Sequence, residues 1–177
     1  MLHFPAHLDT HSDVPKCIMI AGPTGSKRDA YRKAMVQASP GIDWVTWELY
    51  AFNDDLFALS GHDTTPESPT YKEAYEKYRE LIIKTYIDGI DRAIVRGKSI
   101  ILEDAFLTQE SRNELLQYIH LGYRKTCVFI RPTFVEAKLR TMWDLSEEGV
   151  KAQFASMEIP TLHTDEQFEE LLLLNGD

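Results

Sequence analysis

A glycine-containing turn carries the residue types and spacing in this sequence that best suit binding of an anion. The turn follows the apolar run Cys17–Ala21 and consists of Gly22, Pro23, Thr24, Gly25, Ser26, Lys27 and Arg28. In a strand–turn–helix of this kind the backbone N–H groups point inward, and the helix dipole favours a negative charge there. The turn is therefore a candidate phosphate site, with Lys27 and Arg28 as two cations for a triphosphate.

The turn departs from the common phosphate-loop pattern G-x-x-x-x-G-K-[ST]. Counted from Gly22 to Lys27 it is one residue short, Ser26 precedes the lysine, and Arg28 stands where the magnesium-binding hydroxyl is expected. Magnesium would then need Ser26 or Thr24 in place of that hydroxyl. The alternative is an ordinary strand-to-helix turn, in which the glycines only relieve steric crowding and the two cations are solvated.

Acidic side chains follow two further predicted strands. Asp54 and Asp55 come after the second strand, and Asp104 ends the third. Ligands of open α/β sheets bind beyond the carboxyl ends of the strands, the edge at which the glycine turn also lies. Phosphoryl transfer needs one carboxylate to orient or deprotonate the nucleophile and another to hold magnesium. Asp54 suits the first task and Asp104 the second; the alternative is that residues 53–55 form a turn or begin a helix.

Arg140 is the candidate for the cation that phosphoryl transfer needs over the developing negative charge. It lies on the helix after the fourth predicted strand, just before residues 142–149, which suit a lid. This segment contains Glu147 and Glu148 in place of basic residues, which weakens its interpretation as a catalytic lid.

Short apolar strands alternate with amphipathic helices, which predicts an α/β fold with a parallel sheet covered on both faces. Four strands are predicted, with room for a short fifth: Cys17–Ala21, Asp43–Tyr50, Lys98–Glu103 and Arg124–Arg131. A short apolar run, Ile159–Leu162, precedes the last helix. The predicted helices are Lys27–Ala38, Tyr71–Arg96, Gln109–Leu121, Thr133–Trp143, Ser146–Met157 and Asp165–Leu174. Residues 51–70 are rich in Asn, Asp, Gly and Pro and are predicted to be irregular and exposed.

The composition predicts one folded domain at residues 16–177, preceded by a flexible arm at residues 1–15. The 19 Lys and Arg against 28 Asp and Glu give a net charge of -9, so nucleic acid would have to bind in a local pocket rather than by bulk attraction. Cys17 and Cys127 lie in apolar runs and are expected to be buried, reduced thiols. With neither a membrane span nor a secretory signal in the sequence, a cytoplasmic protein is expected.

Four segments follow one another along the chain: KCIMIAGPTGSKRDAYRKA, YAFNDDLF, GKSIILEDAFLTQESRNEL and CVFIRPTFVEAKLR. Their order resembles that of the P-loop kinase family that includes phage polynucleotide kinase and the zeta-toxin-like kinases. The resemblance implies a three-layer fold with a central parallel sheet of four to five strands and a small helical lid. It also implies that ATP and Mg²⁺ serve to phosphorylate a hydroxyl of a nucleic acid or nucleotide.

Residue by residue, the resemblance implies that Asp54 is the general base and Lys27 the phosphate-loop lysine. It further implies that Asp104 is the acidic residue ending the third strand, and that Arg140 is a lid arginine. The family's arginine shortly after the base is replaced here by the sequence LFA. A phage-encoded kinase of modified DNA bases, such as 5-hydroxymethyl pyrimidines, is similar in size and layout. The alternative is a binding or regulatory protein on a catalytically degenerate kinase scaffold.

Overall fold

The computed structural model describes residues 14–62, 68–141, 145–162 and 167–175, with the side chains of residues 49–52 excepted. The predicted N-terminal arm lies outside these ranges apart from its last two residues, and so do residues 142–144 of the predicted lid segment. In the part of the chain that is described, no helix combines the length and the apolar character that crossing a lipid bilayer requires.

A five-stranded parallel sheet forms the centre of the molecule, which confirms the predicted fold class. The strands are β1 (Lys16–Ala21), β2 (Trp44–Glu48), β3 (Ser99–Glu103), β4 (Arg124–Arg131) and β5 (Glu170–Asn175). Their spatial order is β2-β3-β1-β4-β5, so β1 pairs with β3 on one side and β4 on the other. The apolar run Cys17–Ala21 of β1 is fully buried, as its sequence predicts, and Lys16 at the start of the strand is buried as well.

Helices cover both faces of the sheet. They are α1 (Arg28–Ala38), α2 (Leu49–Leu59), α3 (Pro69–Val95), α4 (Gln109–Leu116), α5 (Phe134–Thr141) and α6 (Glu147–Ala155). Successive residues of a strand point to opposite faces, so Met19 belongs to the core cluster that contains α3 and α4, whereas Ile18 and Ile20 pack with α1. Cys17 and Cys127 are reduced thiols buried in the first of these clusters, as predicted.

The prediction that residues 51–70 are irregular is wrong, because α2 occupies Leu49–Leu59. Phe57 is fully buried and meets the ring of Tyr71 on α3 edge to face, with 4.8 Å between the ring centroids. Burial of this apolar side chain stabilises the helix despite the turn-forming residues at positions 53–55, since tertiary packing overrides local propensity.

The predicted terminal helix Asp165–Leu174 is also wrong, because the chain forms β5 from Glu170 onward. The leucine run of β5 pairs with β4, with Leu171 opposite Cys127 and Leu173 opposite Phe129. This pairing gives hydrogen-bond partners to the backbone groups on the outer edge of β4. The fifth strand therefore lies beyond the run Ile159–Leu162, which forms neither helix nor strand. The helix predicted at Gln109–Leu121 ends earlier, at Leu116, and the following turn buries Ile119.

Candidate functional site

The glycine turn joins β1 to α1 at the carboxyl edge of the sheet, and its two glycines allow close approach by neighbouring backbone. A Cβ atom on Gly22 would lie 2.3 Å from the carbonyl oxygen of Ile130 at the end of β4. A Cβ atom on Gly25 would lie 2.9 Å from the carbonyl oxygen of Ala137 on α5. Both glycines also have positive φ angles, 145° and 83°, which disfavour other residues. The turn is thus fixed between β4 and α5.

Some backbone amides of the turn are occupied by the protein itself. The N–H of Gly22 donates to the carbonyl of Ala105 at 2.9 Å, and that of Ser26 donates to the carbonyl of Pro23 at 3.1 Å. The N–H of Thr24 donates to Oε1 of Gln153 on α6 at 2.8 Å. The first turn of α1, in contrast, has no side-chain cap from its N-cap residue, so its N–H groups suit an anion.

The buried hydroxyl of Ser26 is a second polar group that fits a ligand in the turn. Ser26 is 1% exposed, and its Oγ has no hydrogen-bond partner among the described residues. Buried hydroxyls are usually hydrogen-bonded, because an unpaired one costs about 1–3 kcal/mol. The hydroxyl lies inside the turn, 3.0 Å from the position that a Cβ atom of Gly22 would take.

The two cations of the turn have different surroundings. Lys27 is the exposed N-cap residue of α1, with the left-handed backbone angle φ 64°, and its charge reaches Glu136 on α5. Arg28 is half-buried, and its guanidinium donates to the carbonyl oxygen of Gly22 within the turn. Burial raises the pKa of Asp104, and the positive charge of Arg28 opposes that increase. Arg28 therefore lies between the turn and the end of β3.

The backbone gives a second way to count the phosphate-loop pattern. Read from Gly22 without a gap, the pattern places Lys27 at its second glycine, Arg28 at its lysine and Asp29 at its hydroxyl residue. The left-handed conformation of Lys27 is the one that glycine adopts readily, and α1 begins directly after it, at Arg28. In this register the turn has the full length of the pattern.

The two candidate carboxylates lie near one tyrosine, although they are on different elements. Asp54 is on α2 and is half-buried; burial, followed by the charge of Asp55, raises its pKa. Asp104 follows β3, and its Oδ1 accepts the N–H of Ala105 at 2.6 Å. Burial, followed by the charges of Asp54 and Asp104, raises the pKa of Tyr71 to about 12. Both carboxylates thus act on the same side chain at this edge of the sheet.

The helices α5 and α6 both contact the turn. Nη1 of Arg140 donates to the carbonyl oxygen of Gly25 at 3.1 Å, and its Nη2 lies 3.3 Å from Oε1 of Glu136. Gln153 makes a second hydrogen bond to the turn, from its Nε2 to Oγ1 of Thr24 at 3.0 Å. The sequence predicts Arg140 but not Gln153, because a lone glutamine on an amphipathic helix is typical of a solvated position.

A cavity of about 330 Å³ opens beside Asp104, between α3 and α4. The hydroxyl of Tyr86 donates to Oδ1 of Asn53 at 2.8 Å in its wall, and Tyr75 and Phe106 supply further aromatic surface. Tyr75 and Tyr86 lie on the long helix α3, and the cavity forms only where α3 packs against α4 and the loop after β3, which the sequence does not reveal.

On the opposite face of the sheet, Arg32 of α1 is surrounded by carboxylates. Its Nε lies 2.5 Å from Oε2 of Glu103, and its Nη2 lies 2.7 Å from Oε1 of Glu48 and 2.5 Å from Oδ1 of Asp29. The side chain of Glu103 is 2% exposed, so its carboxylate depends on Arg32 for a counter-charge. This cluster connects α1 to the carboxyl ends of β2 and β3.

Among the described residues, no group of three or more His, Cys, Asp or Glu side chains is arranged to hold a metal ion alone. Magnesium in phosphoryl-transfer sites is commonly held by one or two carboxylates together with substrate phosphates. Asp104, which lies close to the charge of Arg28 and lines the cavity, fits a magnesium ion of that kind.

Searches with family models and against curated proteins found no match to this chain. Solved structures do match it. A sugar kinase from Janibacter is 14% identical, with 92% of this chain and 86% of that chain covered and a TM-score of 0.62. A gluconokinase from Sinorhizobium meliloti is 13% identical, with 92% and 83% covered and a TM-score of 0.54. The fold is that of a P-loop kinase.

A chain of the Pnkp1/Rnl/Hen1 RNA repair complex has the same P-loop kinase fold. It is 14% identical, with 86% of this chain but only 46% of that chain covered, and the TM-score is 0.58. At these identities the likeness shows the fold alone.

Proposed function

We propose that the protein transfers the γ-phosphate of ATP, with Mg²⁺, to a hydroxyl group of a nucleic-acid or nucleotide substrate. The observation that carries the proposal is the juxtaposition of three features at one edge of a P-loop kinase sheet. These are the uncapped N-terminus of α1, the half-buried guanidinium of Arg28 and the carboxylate of Asp104.

Within this proposal Arg28, rather than Lys27, is the main cation for the nucleotide phosphates. Arg28 points into the turn, where its guanidinium donates to the Gly22 carbonyl, and its charge reaches Asp104. Lys27 is exposed, and its charge reaches Glu136 on α5. An arginine provides a planar set of donors for phosphate oxygens, whereas a lysine acts as a point charge.

The two carboxylates have different roles in this proposal, proton transfer for Asp54 and magnesium binding for Asp104. The acceptor oxygen forms its bond to the γ-phosphorus as the bond from that phosphorus to ADP breaks, and the acceptor proton passes to the carboxylate of Asp54. The raised pKa of Asp54 suits this proton transfer, because a base works best when its pKa approaches the working pH. Asp104 would hold Mg²⁺, which when bound neutralises phosphate charge, and Arg140 would add a cation from the α5 side.

Binding of MgATP and MgADP to two single variants tests the proposal. We expect Arg28→Ala to weaken binding by about 10- to 100-fold, since a charge-assisted hydrogen bond contributes about 1.5–3 kcal/mol. Lys27→Gly should change binding by less than about threefold, because it removes an exposed side chain and suits the left-handed backbone. Isothermal titration calorimetry gives both affinities, and thermal unfolding without nucleotide checks that both variants fold.

Two results would contradict these assignments in different ways. If the wild-type protein binds neither nucleotide at millimolar concentration, the proposed phosphotransferase function is wrong. If the protein binds nucleotide but Lys27→Gly loses it while Arg28→Ala does not, the function stands and Lys27 is the phosphate-loop cation.

A further inference from the structure

The cavity beside Asp104 has a distinctive charge. Its charged lining residues are Asp104 and Glu114, both acidic, and its described lining contains neither lysine nor arginine. Arg79 on α3 forms an exposed ion pair with Glu114 at 3.5 Å and lines a neighbouring groove instead. An anion inside the cavity would therefore meet carboxylates and find no counter-charge in the wall.

The remaining lining combines apolar surface with uncharged polar groups. Ile82, Phe106 and Leu115 contribute buried apolar side chains, and Tyr75, Tyr86 and Asn53 contribute aromatic faces, hydroxyls and an amide. Burial raises the pKa values of both tyrosines, so their hydroxyls stay protonated at neutral pH. A volume of about 330 Å³ lies at the small end of ligand pockets, which span about 300–1,000 Å³.

We infer that this cavity is the acceptor site and that it binds an electrically neutral ring with a free hydroxyl group, such as an unphosphorylated nucleoside unit. It excludes a ring that carries a phosphate group. The inference rests on the proposed function and narrows its substrate class. A phosphate group in the cavity would lose its hydration without gaining a lysine or arginine partner from the lining, and Glu114 would repel it. A neutral ring keeps the apolar and aromatic contacts and hydrogen-bonds to the uncharged polar groups.

Matched pairs of acceptors test the inference. ADP formation from MgATP is followed with thymidine and thymidine 3′-monophosphate, with adenosine and adenosine 3′-monophosphate, and with glucose and glucose 1-phosphate. The primary hydroxyl is free in both members of each pair. We expect the neutral member of the pair that is used to have a kcat/KM at least about tenfold higher than its phosphorylated partner, which corresponds to about 1.4 kcal/mol of discrimination. A 5′-hydroxyl oligonucleotide shows whether the neutral ring is accepted from a polymer as well.

A charge-reversal variant connects the preference to this cavity. Glu114→Lys should reduce the ratio of neutral to phosphorylated acceptor at least about threefold, because it replaces a repelling charge in the lining with an attracting one. Glu110→Lys is the matched control. Glu110 is exposed on the same helix and lines only the neighbouring groove among the described cavities, so the ratio should stay unchanged.

The outcomes separate this inference from the proposed function. Faster phosphorylation of the phosphate-bearing members, or equal effects of the two variants on the ratio, overturns the inference while leaving the phosphotransferase in place. Absence of ATP binding overturns both, and ATP binding without ADP formation from any of these acceptors overturns the inference. Phosphorylation of glucose but of no nucleoside supports the inference that the cavity takes a neutral ring. The acceptor in the proposed function is then a sugar instead of a nucleic acid or nucleotide.

Discussion

Replacing Arg32 by methionine should destabilise the protein strongly, because this arginine is the hydrogen-bonded partner of a buried carboxylate. Arg32 is 12% exposed and Glu103 is 2% exposed, with 2.5 Å between Nε and Oε2. Removing one member of a buried ion pair leaves an uncompensated charge and costs about 3–5 kcal/mol. The positive charge of Arg28 still acts on Glu103, so we expect the lower end, about 3 kcal/mol. For a chain of this size that lowers Tm by about 6–12 °C.

The cost of Arg32→Met should depend on pH in a defined direction. Burial raises the pKa of Glu103 above its ordinary 4.5, and the hydrogen bond from Arg32 opposes the increase, so the variant has a still higher folded-state pKa. Between the unfolded and folded pKa values the folded state binds more protons, and the free energy of unfolding falls as the pH rises. The free energy of unfolding of the variant therefore falls furthest below that of wild type when the pH is above the folded-state pKa of Glu103. The difference becomes smaller as the pH is lowered towards 4.5.

Urea denaturation of wild type and variant at about pH 8 and about pH 5.5 measures this effect. We expect the deficit in the free energy of unfolding to be smaller at the lower pH, because the raised pKa of Glu103 lets the folded variant bind a proton there. Lys33→Met is the matched control, since Lys33 pairs with Asp29 at 2.8 Å but is 68% exposed, and its loss should cost less than about 1 kcal/mol. Equal costs of the two substitutions, or a deficit for Arg32→Met that grows on acidification, would refute the reasoning.

Two further predictions concern the glycine turn. Gln153→Ala frees the backbone amide of Thr24 from its side-chain partner. We expect calorimetry to show that MgADP binds about fivefold more tightly, since a net hydrogen bond contributes about 1 kcal/mol. Unchanged or weaker binding would contradict the idea that Gln153 competes with the nucleotide for this amide. Gly25→Ala adds a Cβ atom 2.9 Å from the carbonyl oxygen of Ala137, at a backbone φ of 83°. In urea denaturation it should lower the free energy of unfolding by at least about 1 kcal/mol more than the control Gly97→Ala. Gly97 has a similar φ of 63°, but a Cβ atom there would meet open space.

The parallel sheet could be predicted from the sequence because its central strands are apolar on both faces. Residues Cys17–Ala21 form a continuous apolar run that ends at a glycine, and β3 and β4 have the same character. Such short runs between amphipathic helices have few alternatives to a covered parallel sheet. The positions of Asp104 and the glycine turn at the carboxyl edge follow directly from these strands.

The helix α2 and the strand β5 could not be predicted, because distant packing decides both. The local sequence around Asn53, Asp54 and Asp55 is typical of a turn, yet burial of Phe57 against α3 makes it helical. The run that forms β5 has acidic residues before four leucines, which also fits a helix, and only pairing with β4 selects the strand. Because α2 carries Asp54, the sequence could place this carboxylate near the sheet edge but not on a helix.

The register of the phosphate-loop pattern depends on backbone conformation, which composition does not reveal. Lys27 and Arg28 are adjacent cations, so counting residues allows either of them to occupy the lysine position, with or without a one-residue deletion. A left-handed residue immediately before a helix is the geometric equivalent of a glycine in the pattern, and Lys27 has this conformation. If Arg28 holds the phosphates, the site has lost its usual hydroxyl to Asp29, whose pKa is lowered by hydrogen bonding from Lys33. The carboxylate of Asp29 pairs with Arg32 and Lys33 on the opposite face of the sheet, so Asp104 remains the carboxylate that fits magnesium at the turn.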